Sequence, residues 1–244
     1  LLKMTAKKIE EMGYNVIYGD TDSIFVDAKA KDEADAKRIG EEIQKSINSY
    51  YTDYVETEYR RDSRLELEFE KVYVHFLMPR IRGSETGAKK RYAGILMKDG
   101  KETMDFVGLE FVRRDWTDLA KTFQLELLDR VFHEKDVRDY VFKFIKDLRA
   151  GKHDDLLVYR KALRKGVEEY TKMTPPHVKA AKPLDRIESN IIEYVMTIDG
   201  PQPIQKMTSG YDYEHYIDKQ LRPIADSILG FYDLTFDDVS AGTK

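Results

Sequence analysis

The sequence predicts an α+β chain: an antiparallel sheet with helices over its first part, then a mainly helical second part. Three observations carry this. Residues Leu65 to Tyr73 alternate between apolar and acidic, the period of a half-buried strand. Two turn signals, Gly19-Asp20-Thr21-Asp22 and Asp99-Gly100, each sit between strand-like runs. Beyond residue 106 the apolar residues recur at helical spacing instead. The expected domains are therefore 1–105 and 106–244.

Residues 1–12 read as the end of an amphipathic helix, with Leu2, Ala6 and Ile9 on one face and Gly13 as the stop. Asn15-Val16-Ile17-Tyr18 and Ser23-Ile24-Phe25-Val26 form a hairpin with acids at its tip. Residues 32–51 form a helix on the stripe Ile39, Ile43 and Ile47, extended by Tyr50. In the alternating strand Leu65, Leu67 and Phe69 face one way, and Glu66, Glu68 and Glu70 the other. A loop around Gly83-Ser84-Glu85-Thr86-Gly87 leads to Lys89-Lys90-Arg91-Tyr92-Ala93-Gly94 and a second hairpin. Trp116, Leu119, Ala120, Phe123 and Leu127 make one helical stripe, with Trp116 assigned to the core. Val137, Val141, Phe144, Ile145 and Leu148 make another, ended by Gly151. Pro175-Pro176-His177 reads as a turn opening a helix. Ile191 to Ile198 reads as a short strand ahead of the Gly200-Pro201 break, and Asp212 to Leu229 as the last helix.

At 244 residues and 41% hydrophobic content the chain is long and apolar enough for a real core, which excludes general disorder. The absence of cysteine excludes a disulfide scaffold and thiolate metal sites, and suits a reducing compartment. No apolar run approaches the ~18 residues of a membrane span and no signal-peptide pattern opens the chain. The expected location is the cytoplasm, with no membrane partner. A net charge of −4 would by itself discourage a nucleic-acid partner. The charge is uneven, however. Residues 143–166 hold eight basic side chains against three acidic, while residues 24–70 hold 13 acids against eight bases. Local charge, not the total, sets where an anionic partner can lie. The chain opens on Leu1-Leu2 inside a helical pattern, not on Met, so it reads as a piece of something longer.

Asp20 and Asp22 flank Thr21 in a tight turn. Carboxylates that close repel one another unless a cation sits between them, and hard cations such as magnesium prefer oxygen ligands. On the residues alone two readings stand, a cation site and a solvated turn.

The surrounding sequence adds a resemblance. Tyr18-Gly19-Asp20-Thr21-Asp22-Ser23 resembles the third acidic motif of family B DNA polymerases. The likeness continues in order. Leu65-Glu66-Leu67-Glu68-Phe69-Glu70 is similar to the family's acidic palm strand, and Lys89-Lys90-Arg91-Tyr92 to its Lys-Lys-x-Tyr motif. Gly108-Leu109-Glu110 with Arg113-Arg114-Asp115-Trp116 is similar to the entry of its thumb. Asp155 to Lys161, Pro175 to Val178 and Asp212 to Tyr216 resemble a bacterial branch of the family. The likeness spans essentially the whole chain, as the C-terminal part of a palm (antiparallel sheet with helices) followed by a mainly helical thumb.

This resemblance implies template-directed DNA synthesis, the transfer of a nucleotide from a dNTP to a primer 3′ hydroxyl with two magnesium ions. It implies that Asp20 is the catalytic metal-binding aspartate, Asp22 a second acid and Glu70 a palm glutamate near the metals. Glu66 and Glu68 stay a solvated face. Lys89, Lys90, Arg91 and Tyr92 would contact the primer strand through its backbone. Arg160, Lys161, Arg164 and Lys165 would grip the duplex. Tyr213, His215 and Tyr216 would approach the DNA backbone, although Tyr213 and Tyr216 read equally well as core positions. The implied partners are primer–template DNA and a dNTP. The family's first acidic motif, its nucleotide-binding lysine and its 3′–5′ exonuclease would lie upstream: the chain holds no Ser-Leu-Tyr-Pro and no Lys-x-x-x-Asn-Ser. It is therefore expected to be inactive alone. No Gln-x-x-Leu-x-Phe-like segment occurs, so no sliding-clamp partner is assigned. A role in repair follows only by analogy. Two alternatives are a non-catalytic DNA-binding subunit of a split polymerase and an unrelated magnesium phosphotransferase. The ordered Lys-Lys-Arg-Tyr and Arg-Arg-Asp-Trp segments argue against the second.

Overall fold

The computed structural model describes residues 1–79, 89–171 and 174–241. The chain is mixed α+β, with helices and small sheets, and divides into two compact units. One comprises Leu1–Phe76 with Gly94–Asp105, the other Leu77–Ala93 with Phe106–Lys244. Residues 77–93 thus fall in the second unit although they precede residue 106.

In the first unit, α1 (Leu2–Glu11) leads into β1 (Asn15–Asp20) and β2 (Ser23–Asp27), an antiparallel hairpin. The long helix α2 (Glu33–Tyr59) follows. Its N-terminus is capped by Asp32, whose carboxylate accepts the Asp35 N–H at 2.8 Å. Ile39, Ile43, Ile47 and Tyr51 recur every fourth residue and are buried with Ile9 of α1, against Val16, Ile24 and Val26 of the hairpin. Each such aliphatic side chain contributes about 1.5–3 kcal/mol by leaving water. The helix runs eight residues beyond its predicted end at residue 51. The apolar stripe stops at Tyr51, but nothing breaks the helix until Arg60 turns left-handed at φ 52°.

The predicted strand at Leu65 to Tyr73 is corrected by the structure. The segment has no regular secondary structure and, among the described residues, joins no sheet. Side chains of α2 take the place of a partner strand. Asn48 accepts the Leu67 N–H at 2.7 Å and donates to the Leu67 carbonyl at 3.0 Å. Gln44 accepts the Phe69 N–H at 2.7 Å. Gly40 makes room for this docking, because a Cβ there would lie 2.4 Å from the Phe69 ring. The alternation survives: Leu67 and Phe69 are half-buried, and Glu66, Glu68 and Glu70 are exposed. Leu65, expected on the buried side, is 39% exposed.

Strands β3 (His75–Leu77), β4 (Tyr92–Lys98) and β5 (Lys101–Val107) form a three-stranded sheet in that order. The β4–β5 turn is Asp99-Gly100 with φ 51° and 72°, the paired positive values of a type I′ hairpin turn. The expected loop at Gly83 to Gly87 lies outside the described residues.

In the second unit, α3 (Asp118–Phe132) and α4 (Val137–Arg149) pack through the Phe123, Tyr140 and Phe144 rings. Thr117 caps α3, and α4 ends near Gly151 at φ 76°. Trp116 is only half-buried, not core: it precedes the α3 cap, and the Arg113 guanidinium lies 6.0 Å from its ring. Three short strands, β6 (Tyr159–Ala162), β7 (Ile191–Thr197) and β8 (Gly200–Pro203), form an antiparallel sheet with β7 in the centre. Helix α5 (Pro176–Ala181) packs its Ala180 and Ala181 against Ile192 and Tyr194. The last helical stretch is not uniform. Helix α6 (Tyr213–Tyr216) passes through a π-helical turn at Ile217–Leu221 into α7 (Arg222–Leu229). Pro223 has no N–H to continue an α ladder, which accounts for the change of pitch before it. A short α8 (Phe236–Ser240) follows. Among the described residues no helix is long and apolar enough to cross a membrane.

Candidate metal-binding hairpin and nucleic-acid interface

The β1–β2 hairpin brings Asp20 and Asp22 to its tip. Asp20 pairs with Ser23, and the Asp22 N–H donates to the Asp20 carbonyl at 2.6 Å. Thr21 takes φ 54°, a left-handed conformation that lets a one-residue crest separate the two acids. Asp20 is half-buried and Asp22 exposed, with the Ser23 hydroxyl donating to Asp22 Oδ1 at 3.3 Å. A bulge between Val16 and Tyr18 shifts the register, so Ile17 is 49% exposed while Tyr18 pairs with Phe25. Beneath the hairpin lies an aromatic floor. Phe25 is 5.8 Å from Tyr18, 5.1 Å from Phe76 and 6.3 Å from Tyr73, measured between ring centroids. Asp105 fixes that floor by accepting from the Tyr73 hydroxyl at 2.5 Å and from Lys71 at 2.9 Å. Burial, then this carboxylate, push the Tyr73 hydroxyl's pKa upward, so it stays a donor.

Two adjacent carboxylates suit a hard divalent cation in donor type, and by number would make only part of a ligand set. Glu70 is not gathered with them. Its side chain is 75% exposed and ion-paired to Lys71 at 3.4 Å. Among the described residues no three His, Asp or Glu side chains come together as a metal cluster.

The Lys89–Tyr92 segment turns back beside residues 108–110. Lys89 and Lys90 are exposed, and Lys90 is left-handed at φ 57°. Gly108, at φ 62°, touches this turn so closely that a Cβ would lie 2.0 Å from the Lys90 carbonyl oxygen. Arg91 points inward, its Nη2 donating to Glu110 Oε1. Glu110 is buried, and its other oxygen accepts from Gln124 Nε2 at 2.7 Å. Gln124 in turn accepts the Phe111 N–H at 2.7 Å. Glu110 is expected only as part of the thumb-entry segment, with no site role, and Gln124 not at all. Their signal was a polar residue, Gln124, four positions from Ala120 on an otherwise apolar helix face.

The expected cations further along differ from one another. Arg160 is held between Asp118 at 3.1 Å and Glu193 at 2.8 Å. Lys165 donates to the Glu169 carbonyl at 2.6 Å and lies 4.7 Å from the Tyr170 ring centroid. Lys161 and Arg164 are exposed. Tyr213 donates to Asp154 at 3.0 Å, and the Tyr159 hydroxyl is 3.1 Å from His215 Nε2. Both are half-buried, and burial lowers the His215 pKa. Tyr216 is a core residue: its hydroxyl donates to the Leu157 carbonyl at 2.9 Å and accepts the Met196 N–H at 2.8 Å.

Comparison with known proteins supplies the class. A family model described as DNA polymerase family B matches residues 1–226, and the chain belongs to that family. It is 43% identical to DNA polymerase II of Escherichia coli over 99% of its own length and 32% of that protein. It is 32% identical to DNA polymerase 2 of Aeropyrum pernix over its whole length and 29% of that protein. The DNA polymerase alpha catalytic subunit of Drosophila melanogaster is 29% identical over 82% of the chain. The chain thus spans about a third of the length of its first two relatives.

Proposed function

We propose that this chain supplies the C-terminal part of the palm, residues 1–105, and the thumb, residues 106–244, of a template-directed DNA polymerase. The observation that carries the reading is the hairpin tip, Asp20 and Asp22 on either side of a left-handed Thr21, in a chain 43% identical to a DNA polymerase along 99% of its length. Asp20 and Asp22 would hold magnesium. When bound, the metal would lower the pKa of the primer hydroxyl and neutralise charge on the dNTP. The protein's own share is to orient: the aromatic floor sets the hairpin's position and Thr21 separates the two carboxylates. The metal assignment is confined to these two acids, because Glu70 is exposed and paired with Lys71. Lys89 and Lys90 would neutralise primer-strand phosphates, with Tyr92 beside them on the sugar–phosphate backbone, and Lys161 and Arg164 would meet the duplex. Backbone contact is the right chemistry for an enzyme that copies any sequence.

Two carboxylates are half of a two-metal centre, so the isolated 244 residues should bind primer–template DNA without extending it. Binding should weaken steeply with salt as counterions are released. Affinity that does not fall with salt would overturn the DNA reading. Magnesium-dependent synthesis by the isolated chain would overturn the division of the active site.

A further inference from the structure

We propose that Glu110 and Gln124 are positioning residues for the Lys89–Tyr92 turn, setting where its lysines meet the phosphates of bound DNA. The proposal rests on reading that turn as a DNA contact. Glu110 is 5% exposed, and a buried carboxylate is tolerated only when its oxygens are matched. They are divided: Oε1 accepts from Arg91 and Oε2 from Gln124 at 2.7 Å. Gln124 is fully buried on α3 and fixed at both ends of its amide, since its oxygen accepts the Phe111 N–H at 2.7 Å. The Phe106 and Phe111 rings, 4.4 Å apart, brace the same corner. A continuous path therefore runs from α3 through Gln124 and Glu110 to Arg91, the neighbour of Lys90.

Arg91 Nε is buried and meets no hydrogen-bond partner among the described residues. The guanidinium is held by Glu110 through Nη2. Gly108 adds a second pin, on the Lys90 carbonyl itself. Buried ion pairs seldom stabilise more than a well-packed apolar pair would; what they supply is a fixed arrangement. Here the arrangement turns Arg91 inward and leaves Lys89 and Lys90 facing out.

The test compares Lys90→Ala, Glu110→Gln, Gly108→Ala and the double variant Lys90→Ala/Glu110→Gln in the complete polymerase that carries this chain. Affinity for a primer–template duplex is measured across a salt series, alongside melting temperature. Lys90→Ala should weaken binding and lower the salt slope by about one phosphate contact. Glu110→Gln should weaken binding about tenfold, the scale of one lost charge-assisted hydrogen bond. In the Lys90→Ala background that loss should shrink to about twofold or less, because the effect acts through the lysine. Gly108→Ala, whose added methyl must push the Lys90 backbone, should reproduce the loss and carries the test if Glu110→Gln does not fold. A lower melting temperature with unchanged affinity, or fully additive losses, would overturn the proposal while Lys90→Ala still supports the turn as a DNA contact. Unchanged affinity in Lys90→Ala would overturn both.

Discussion

Glu110 is buried with both carboxylate oxygens matched by protein donors, Arg91 and Gln124. Asp22, at the tip of the β1–β2 hairpin, is exposed and accepts the Ser23 hydroxyl at a long 3.3 Å. The same functional group is used in two ways. An acid whose oxygens are matched indoors holds backbone in place. An acid exposed on a turn, next to a second acid, is the arrangement proposed above to hold a cation. Both kinds sit in segments that resemble polymerase motifs, so resemblance alone does not distinguish a buried anchor from an exposed acid; burial does.

The largest effect is expected at the hairpin. Asp20→Asn keeps the shape of the tip and removes a charge. In the complete polymerase, single-turnover nucleotide addition is expected to fall by at least about 10²-fold, with primer–template affinity within about twofold. An unchanged rate would take Asp20 out of the metal set. At the buried end, Gln124→Leu leaves Glu110 Oε2 and the Phe111 N–H without partners. Urea unfolding should register a loss of about 2–4 kcal/mol. Asp22→Asn sharpens the contrast: its unfolding free energy should stay within about 0.5 kcal/mol of the parent, as for a surface change. A large loss there would mean the tip acid is an anchor after all.

The smallest effect is expected at a third kind of acid, paired but on the surface. The Arg113 guanidinium beside Asp115, at 3.0 and 2.7 Å, holds that carboxyl below its ordinary value of 3.8. A pKa depressed by folding gives stability that is present above about pH 4 and lost as pH falls through the folded-state value. Asp115→Asn should therefore trail the parent slightly at pH 7 and converge with it in acid. Urea midpoints taken down the pH scale would check this, and a gap that widened in acid would contradict the pairing.

Much of this was legible in the sequence where local pattern and tertiary partner agree. The Ile39, Ile43 and Ile47 stripe, the Asp99-Gly100 turn and the Val141 to Leu148 face each carry their own instruction. The segment at 65–73 shows what pattern leaves open. Alternation dictates an extended chain, but whether it joins a ladder depends on a partner, and here Asn48 and Gln44 fill that place from a helix. Strand β8 carries no strand signal, because Pro201 and Pro203 lack an N–H and Gly200 lacks a side chain, yet Pro is accepted on an edge. Strand β6 was hidden by its own Arg160 and Lys161, which read as a basic surface and not as backbone for β7. At the site, the acids of the tip stood out because they adjoin in sequence. Glu110 and Gln124 did not, because their partnership with Arg91 spans 33 positions and exists only once the chain has folded.

The π-helical turn at Ile217–Leu221 carries a consequence for how this region tolerates change in length. A π turn holds one residue more than an α-helix would over the same rise. Deleting the extra residue would restore regular α pitch and keep the two sides of the helix nearly in phase, whereas a deletion in the α turns beside it would rotate one side against the other by about 100°. Tyr216, just before the turn, is locked to Leu157 and Met196, while Gln220, inside it, accepts the Thr117 hydroxyl at 2.9 Å at the cap of α3. The two locks cannot both hold after such a rotation. This stretch can therefore lose one residue inside the π turn, but not in the α turns on either side of it.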